Sequence, residues 1–205
     1  VTPESTDGSS SGPVKTTGAI PSAAASAFRV YAFLPRWPTR ELDQIRANAD
    51  AIDVVLPSWY HVASGDGDIA ASDPKWLQSS TSVLASLGKK LSVMPIVARG
   101  PEDGAGYSQS ALSSASTRSR MVGKLKEIAR AASYDGFCFD FPAVTAEARE
   151  NVLRFLDELK SVFKSSSRST CMILPLESDP DWLTRVGAVA DVVVLVAVNS
   201  QAYGM

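Results

Sequence analysis

The chain has 205 residues, 45% of them hydrophobic, and a formal net charge of -2 at pH 7. That is enough to bury the core of one globular domain, and Lys and Arg, scattered rather than clustered, exclude a polyanion-binding surface and so a nucleic-acid partner. No stretch reaches the roughly 18 apolar residues that a membrane span needs, and the first residues lack the charged and apolar regions of a signal peptide.

Residues 1–28, VTPESTDGSSSGPVKTTGAIPSAAASAF, are mostly Ser, Thr, Gly, Pro and Ala and show no apolar period. Such a segment cannot bury enough surface to offset its ordering entropy, and it reads as a disordered linker. Tethers of this composition are common outside the cytoplasm, which fits an extracytoplasmic or envelope-associated protein, though the same segment could also join two cytosolic domains. Starting at Val1 rather than Met, the chain reads as a processed protein or a piece of a longer one.

From Phe28 onward six apolar runs alternate with amphipathic segments: RVYAFLPRW (29–37), IDVVLPSWYHVA (52–63), KLSVMPIVAR (90–99), YDGFCFDFPAV (134–144), TCMILPLES (170–178) and ADVVVLVAVNS (190–200). This is the pattern of a parallel sheet covered by helices. Helical spacing joins Trp76, Leu77, Val83, Leu84 and Leu87; then Met121, Val122, Leu125, Ile128 and Ala132; then Val152, Phe155, Leu156, Leu159 and Phe163. Thr145 is placed to cap the last of these helices, with Glu147 in its first turn. Arg118, Arg120, Lys124 and Lys126 read as a solvated helix face.

Strand, helix, strand without hairpin turns leaves a doubly wound sheet or a closed barrel. No GxGxxG or GxxxxGK[ST] follows any strand, which removes the phosphate loops of the first. The fold class is therefore α/β, a (β/α)8 TIM barrel. A full barrel takes about 250 residues, so 29–205 is expected to be an incomplete barrel, truncated after six βα units.

In such barrels the functional groups lie at the carboxyl ends of the strands. The candidates are Arg36 and Trp37, then Trp59, Tyr60 and His61, then Arg99, Asp140, Glu177 and Asn199. Aromatics and carboxylates around a cup suit a carbohydrate, which offers apolar faces for stacking and hydroxyls for hydrogen bonds; the plainer alternative is that Trp37 and Trp59 cap the core. His61, the single histidine, has no nucleophile beside it and reads as a hydrogen-bonded or surface residue. Cys138 and Cys171 lack the clustering of a metal site. They read as small buried thiols, with a disulfide geometrically open to them if their strands adjoin. No cofactor is indicated.

The stretch YDGFCFDFPAVTAEARENVLRFLDEL resembles the fourth strand and following helix of glycoside hydrolase family 18, whose motif reads D-G-x-D-x-D-x-E. RVYAFLPRW, LPSWYHVASGDGDI and ADVVVLVAVNS resemble that family's first, second and sixth strands, nearest in flavour to the chitinase-like domains fused to polysaccharide deacetylases and glycosyltransferases. In the family, the final Glu protonates the glycosidic oxygen while the substrate's N-acetyl group, steadied by the preceding Asp, attacks the anomeric carbon. The resemblance maps the first Asp to Asp135 and the steadying Asp to Asp140, but puts Cys138 at the middle Asp and Pro142 at the acid. The sixth-strand M-x-Y-D becomes Val196, Ala197, Val198 and Asn199, which removes the tyrosine that would hold the acetamido oxygen. Proline carries no titratable proton.

The resemblance thus implies a degenerate domain that binds or positions a polysaccharide, a β-1,4-N-acetylglucosamine polymer in particular, through Trp37, Trp59, Tyr60, Asp140 and Asn199. One alternative is an active glycosidase using Asp140 and Glu177; another is a spacer or docking module that binds no sugar. Fused deacetylase or glycosyltransferase domains are the expected partners.

Overall fold

The computed structural model describes residues 29–35, 40–87, 91–99, 106–141 and 144–197. The expected linker at 1–28, and Arg36, Trp37, Pro142 and Asn199, lie outside the described residues. The strands are β1 (Tyr31–Leu34), β2 (Val54–Pro57), β3 (Tyr60–Val62), β4 (Ile69–Ala71), β5 (Ser92–Val93), β6 (Ile96–Ala98), β7 (Gly136–Asp140), β8 (Ser169–Pro175) and β9 (Val192–Val196). The helices are α1 (Arg40–Ala47), α2 (Pro74–Ala85), α3 (Gly106–Ser113), α4 (Ala115–Ala132), α5 (Ala146–Lys164) and α6 (Pro180–Val189). No helix among the described residues is long and apolar enough to cross a membrane.

Two of the expected strands are interrupted. β2 pairs in parallel with β1 and β5, whereas β3, three residues further on, pairs in parallel with β6. Pro95, which has no N–H to give to a ladder, separates β5 from β6, and its carbonyl instead accepts the Cys138 amide at 3.0 Å. Taken with β7, β8 and β9, these pieces make six parallel barrel strands in chain order, as part of a (β/α)8 barrel. Among the described residues β1 and β9 each have one strand neighbour and do not pair with each other.

The expectation of no hairpins is corrected. Residues 60–71 fold back as an antiparallel pair, β3 with β4. Gly67, at φ +87, makes the reversal possible, and a Cβ there would meet the Thr117 carbonyl oxygen at 2.7 Å. The Ser64 hydroxyl ties the turn by donating to Asp68 Oδ2 at 2.9 Å.

The pleat divides the core in two. Inside the barrel lie Val54, Leu56, Met94, Ile96, Cys138, Cys171 and Ile173, flanked by Tyr31, Val192, Val194 and Val196. Outside, Phe137, Phe139 and Phe141 pack with Phe155, Leu156, Leu159 and Phe163 of α5, with Phe139 edge-on to Phe155 at 5.0 Å. Each such phenyl ring removed from water contributes about 2–3 kcal/mol. Apart from Ala132, which is exposed, the helical stripes read from sequence belong to this outer core.

An aspartate clasp recurs at the amino ends of the strands. Asp53 Oδ2 accepts the Val30 amide at 2.8 Å, Asp135 Oδ2 accepts the Val93 amide at 2.9 Å, and Asp191 Oδ2 accepts the Thr170 amide at 2.8 Å. In each case the aspartate's own amide donates back to the carbonyl of the same residue. The segments IDVV, YDGF and ADVV are therefore one device used three times, satisfying edge amides where neighbouring strands begin.

Two further expectations are corrected. Arg118 is 6% exposed, not part of a solvated face. Its Nε donates to Glu158 Oε1 at 3.0 Å and its Nη1 to the Leu112 carbonyl at 3.0 Å, joining α3, α4 and α5. Cys138 and Cys171 are not free thiols. The ladder places them directly opposite on β7 and β8, with Cα atoms 4.2 Å and sulfurs 2.07 Å apart, as a disulfide. Their strands adjoin, and both side chains point inward to the same level, which is what a cross-strand bond requires.

Candidate functional site

The cup is built from the top row of inward residues. The ladder register runs His61, Ala98, Asp140, Ile173 and Val194 across β3, β6, β7, β8 and β9. Residues in one row of a parallel sheet share a face, and Ile173 belongs to the inner core, so the whole row faces inward. One level below lie Ile96, Cys138, Cys171 and Val192. The disulfide is thus the floor directly beneath Asp140.

Asp140 is partly buried, and among the described residues no hydrogen bond reaches its carboxylate. Burial pushes its carboxyl above the ordinary value, and the nearby positive charge of Arg99 opposes this in part. A partly buried carboxylate that no side chain or main-chain N–H among the described residues satisfies is open to a donor from a ligand.

The other proposed site residues are placed differently. Asp135 stands at the opposite end of β7, where its carboxylate is taken up by the Val93 amide, so it braces the strand starts rather than facing the cup. Glu177 is exposed in the turn after β8, four residues past the Ile173 level, and no hydrogen bond or ion pair among the described residues joins it to Asp140. Trp37 and Asn199 lie outside the described residues.

Trp59 and Tyr60 are corrected as stacking surfaces. Trp59 is 1% and Tyr60 7% exposed, and both belong to the outer core. The break between β2 and β3 puts both on the outer side in succession, where alternation would have sent one inward. Their rings pack on Tyr134, at centroid distances of 5.8 and 6.2 Å, and the Tyr60 hydroxyl lies 3.1 Å from that of Tyr134. A cavity of about 380 Å³ borders Trp59, Leu84, Leu91, Tyr134 and Asp135, between α2 and the end of α4, away from the Asp140 row.

Phe33 is the aromatic that sequence reasoning missed. It pairs with Leu56, an inner-core residue, and so points into the barrel, yet it is 46% exposed. The signal was available, because β1 alternates Tyr31 and Phe33 inward with Ala32 and Leu34 outward. An accessible ring on the inner face is what stacking on a sugar needs.

No protein-family model and no curated protein matches the sequence. Solved structures do. A chitinase from Chromobacterium violaceum superposes with a TM-score of 0.73 at 19% identity, covering 83% of this chain and 56% of that one. The spore cortex-lytic enzyme SleL of Bacillus megaterium gives 0.70 at 15% identity, over 83% and 42% of the two chains. A GH18 chitinase mutant from Cycas revoluta, in complex with (GlcNAc)4, gives 0.69 at 14% identity, over 83% and 55%. The chain spans about half the length of these structures. With its six parallel strands in order and Asp140 in its inward row, the chain has the fold of the chitinase-like GH18 structures on which it superposes, and spans part of their length.

Proposed function

We propose that this domain binds or positions a polysaccharide, a β-1,4-linked N-acetylglucosamine polymer, without hydrolysing it. The observation that carries this reading is Asp140, an inward carboxylate at the cup with no hydrogen-bond donor among the described residues, while the acid position of the motif is occupied by Pro142. A sugar hydroxyl or acetamido N–H supplies the missing donor, and Phe33 supplies a ring face. Glu177, exposed and beyond the row, gives no support to a relocated acid. The buried disulfide favours an oxidising, extracytoplasmic setting, where a fused deacetylase or glycosyltransferase would act on the polymer held here.

Calorimetric titration with N-acetylglucosamine oligosaccharides tests the reading, and Asp140→Asn gives it two opposed readouts. A carboxyl raised in the folded state stabilises the fold fully below its unfolded value, about 4, and loses that contribution as pH rises through the folded value. At neutral pH the ionised group therefore opposes folding. Asp140→Asn should raise the melting temperature while weakening the sugar about tenfold, the effect of one charge-assisted hydrogen bond. Absence of heat with the unaltered protein would leave the spacer reading.

A further inference from the structure

We propose that the cavity bordered by Trp59 and Asp135, on the outer wall at the amino end of the barrel, is a second small-molecule site that takes an uncharged ring bearing a hydroxyl group. Its volume of about 380 Å³ is that of a small-ligand pocket. One side is the end of α2, through Leu84 and Ala85; the other is the segment leaving α4, through Tyr134. Asp135 and Asp140 stand at opposite ends of β7, about 16 Å apart along the strand, so this site is separate from the cup.

Two groups on the wall have hydrogen-bonding capacity to spare. Trp59 is 1% exposed, and its indole Nε1 is buried with no hydrogen-bond partner among the described residues. A buried indole N–H ordinarily finds an acceptor, yet the hydroxyl of the adjoining Tyr134 is bonded to that of Tyr60, at 3.1 Å. Asp135 accepts the Val93 amide through Oδ2 at 2.9 Å, and its other oxygen can take a further donor. Leu84, Leu87 and Leu91 supply apolar wall for a ring, and among the described residues no Lys, Arg or His lines the cavity. Without a balancing cation, Asp135 turns anions away. An ammonium group would suit Asp135 but has no lone pair, and so leaves Trp59 unpaired. A hydroxyl meets both needs, accepting from the indole N–H and giving its own proton to the carboxylate. The chemistry therefore selects a neutral alcohol or phenol.

The test is a proton–nitrogen NMR titration of the full chain with 4-ethylphenol, with cyclohexylmethanol, and with ethylbenzene, which lacks the hydroxyl. The Trp59 indole N–H signal is identified by its loss in Trp59→Phe. Both hydroxylated rings should move it downfield in a saturable way, while the indole N–H of Trp76, buried and unpaired but not on this cavity, stays fixed as the control. Ethylbenzene should bind about tenfold more weakly, for want of one hydrogen bond. Ala85→Phe, at an exposed position of α2, should fill the cavity and block all three probes with the fold retained. If Trp59→Phe does not fold, the Ala85→Phe comparison decides alone. Equal binding of ethylbenzene, undiminished binding in Ala85→Phe, or the absence of a saturable shift with the hydroxylated rings overturns the assignment, whatever the cup does with sugar.

Discussion

Gly136→Ala should prevent stable folding. Gly136 sits at φ +155 at the start of β7, and a Cβ built there would lie 2.0 Å from the Ser169 carbonyl oxygen and 2.8 Å from its carbonyl carbon. Both atoms are main chain of the adjacent strand, so no side chain can rotate away. Relief requires β7 and β8 to separate where Gly136 is paired with Ser169, which would pull on the Asp135 clasp and on the disulfide one turn of the pleat above. A loss of at least about 3 kcal/mol is expected, the scale of severe overpacking. Far-ultraviolet circular dichroism with a urea titration checks it; a variant melting like the parent would contradict the register given for β7 and β8.

Removing the Cys138–Cys171 bond has the next largest effect. The bridge closes a loop with a sequence separation of 33 residues, and cross-linking a loop of that size removes unfolded-state freedom worth about 4 kcal/mol in the chain-entropy account. Cys138→Ala with Cys171→Ala should therefore lower the unfolding free energy by about 2–4 kcal/mol. Both cysteines are 0% exposed, so dithiothreitol should act on the native protein only as fast as the barrel opens, and promptly in denaturant. Thiol quantification over time under both conditions separates the two rates. Rapid native reduction would show that the floor of the cup is not closed as described.

Much of this fold was written in local patterns. The apolar runs marked all six barrel strands because parallel strands buried on both faces lose the polar alternation of an exposed sheet. The stripes of α2, α4 and α5 carried their period on single faces. What local pattern could not carry was parity across an interruption. Trp59 and Tyr60 look like rim aromatics until the break before β3 turns both outward, and the same break turns His61 inward. Arg118 reads as one cation among several on a helix, and only the approach of α3 and α5 makes it a buried tie. The disulfide needed the register of two strands joined through a helix. At the site, Asp140 was legible because a motif spacing fixed it, whereas Phe33 was passed over beside the larger Trp37.

The central claim is binding without cleavage, and one experiment addresses both halves. The full protein is incubated with N-acetylglucosamine oligosaccharides at concentrations that calorimetry shows to be saturating, and the sugars are then sized by mass spectrometry. The account predicts saturable binding that Asp140→Asn weakens, with every oligosaccharide recovered intact, because Pro142 has no proton to give to the glycosidic oxygen. Shorter products that disappear in Glu177→Gln or Asp140→Asn would contradict it and establish an active glycosidase.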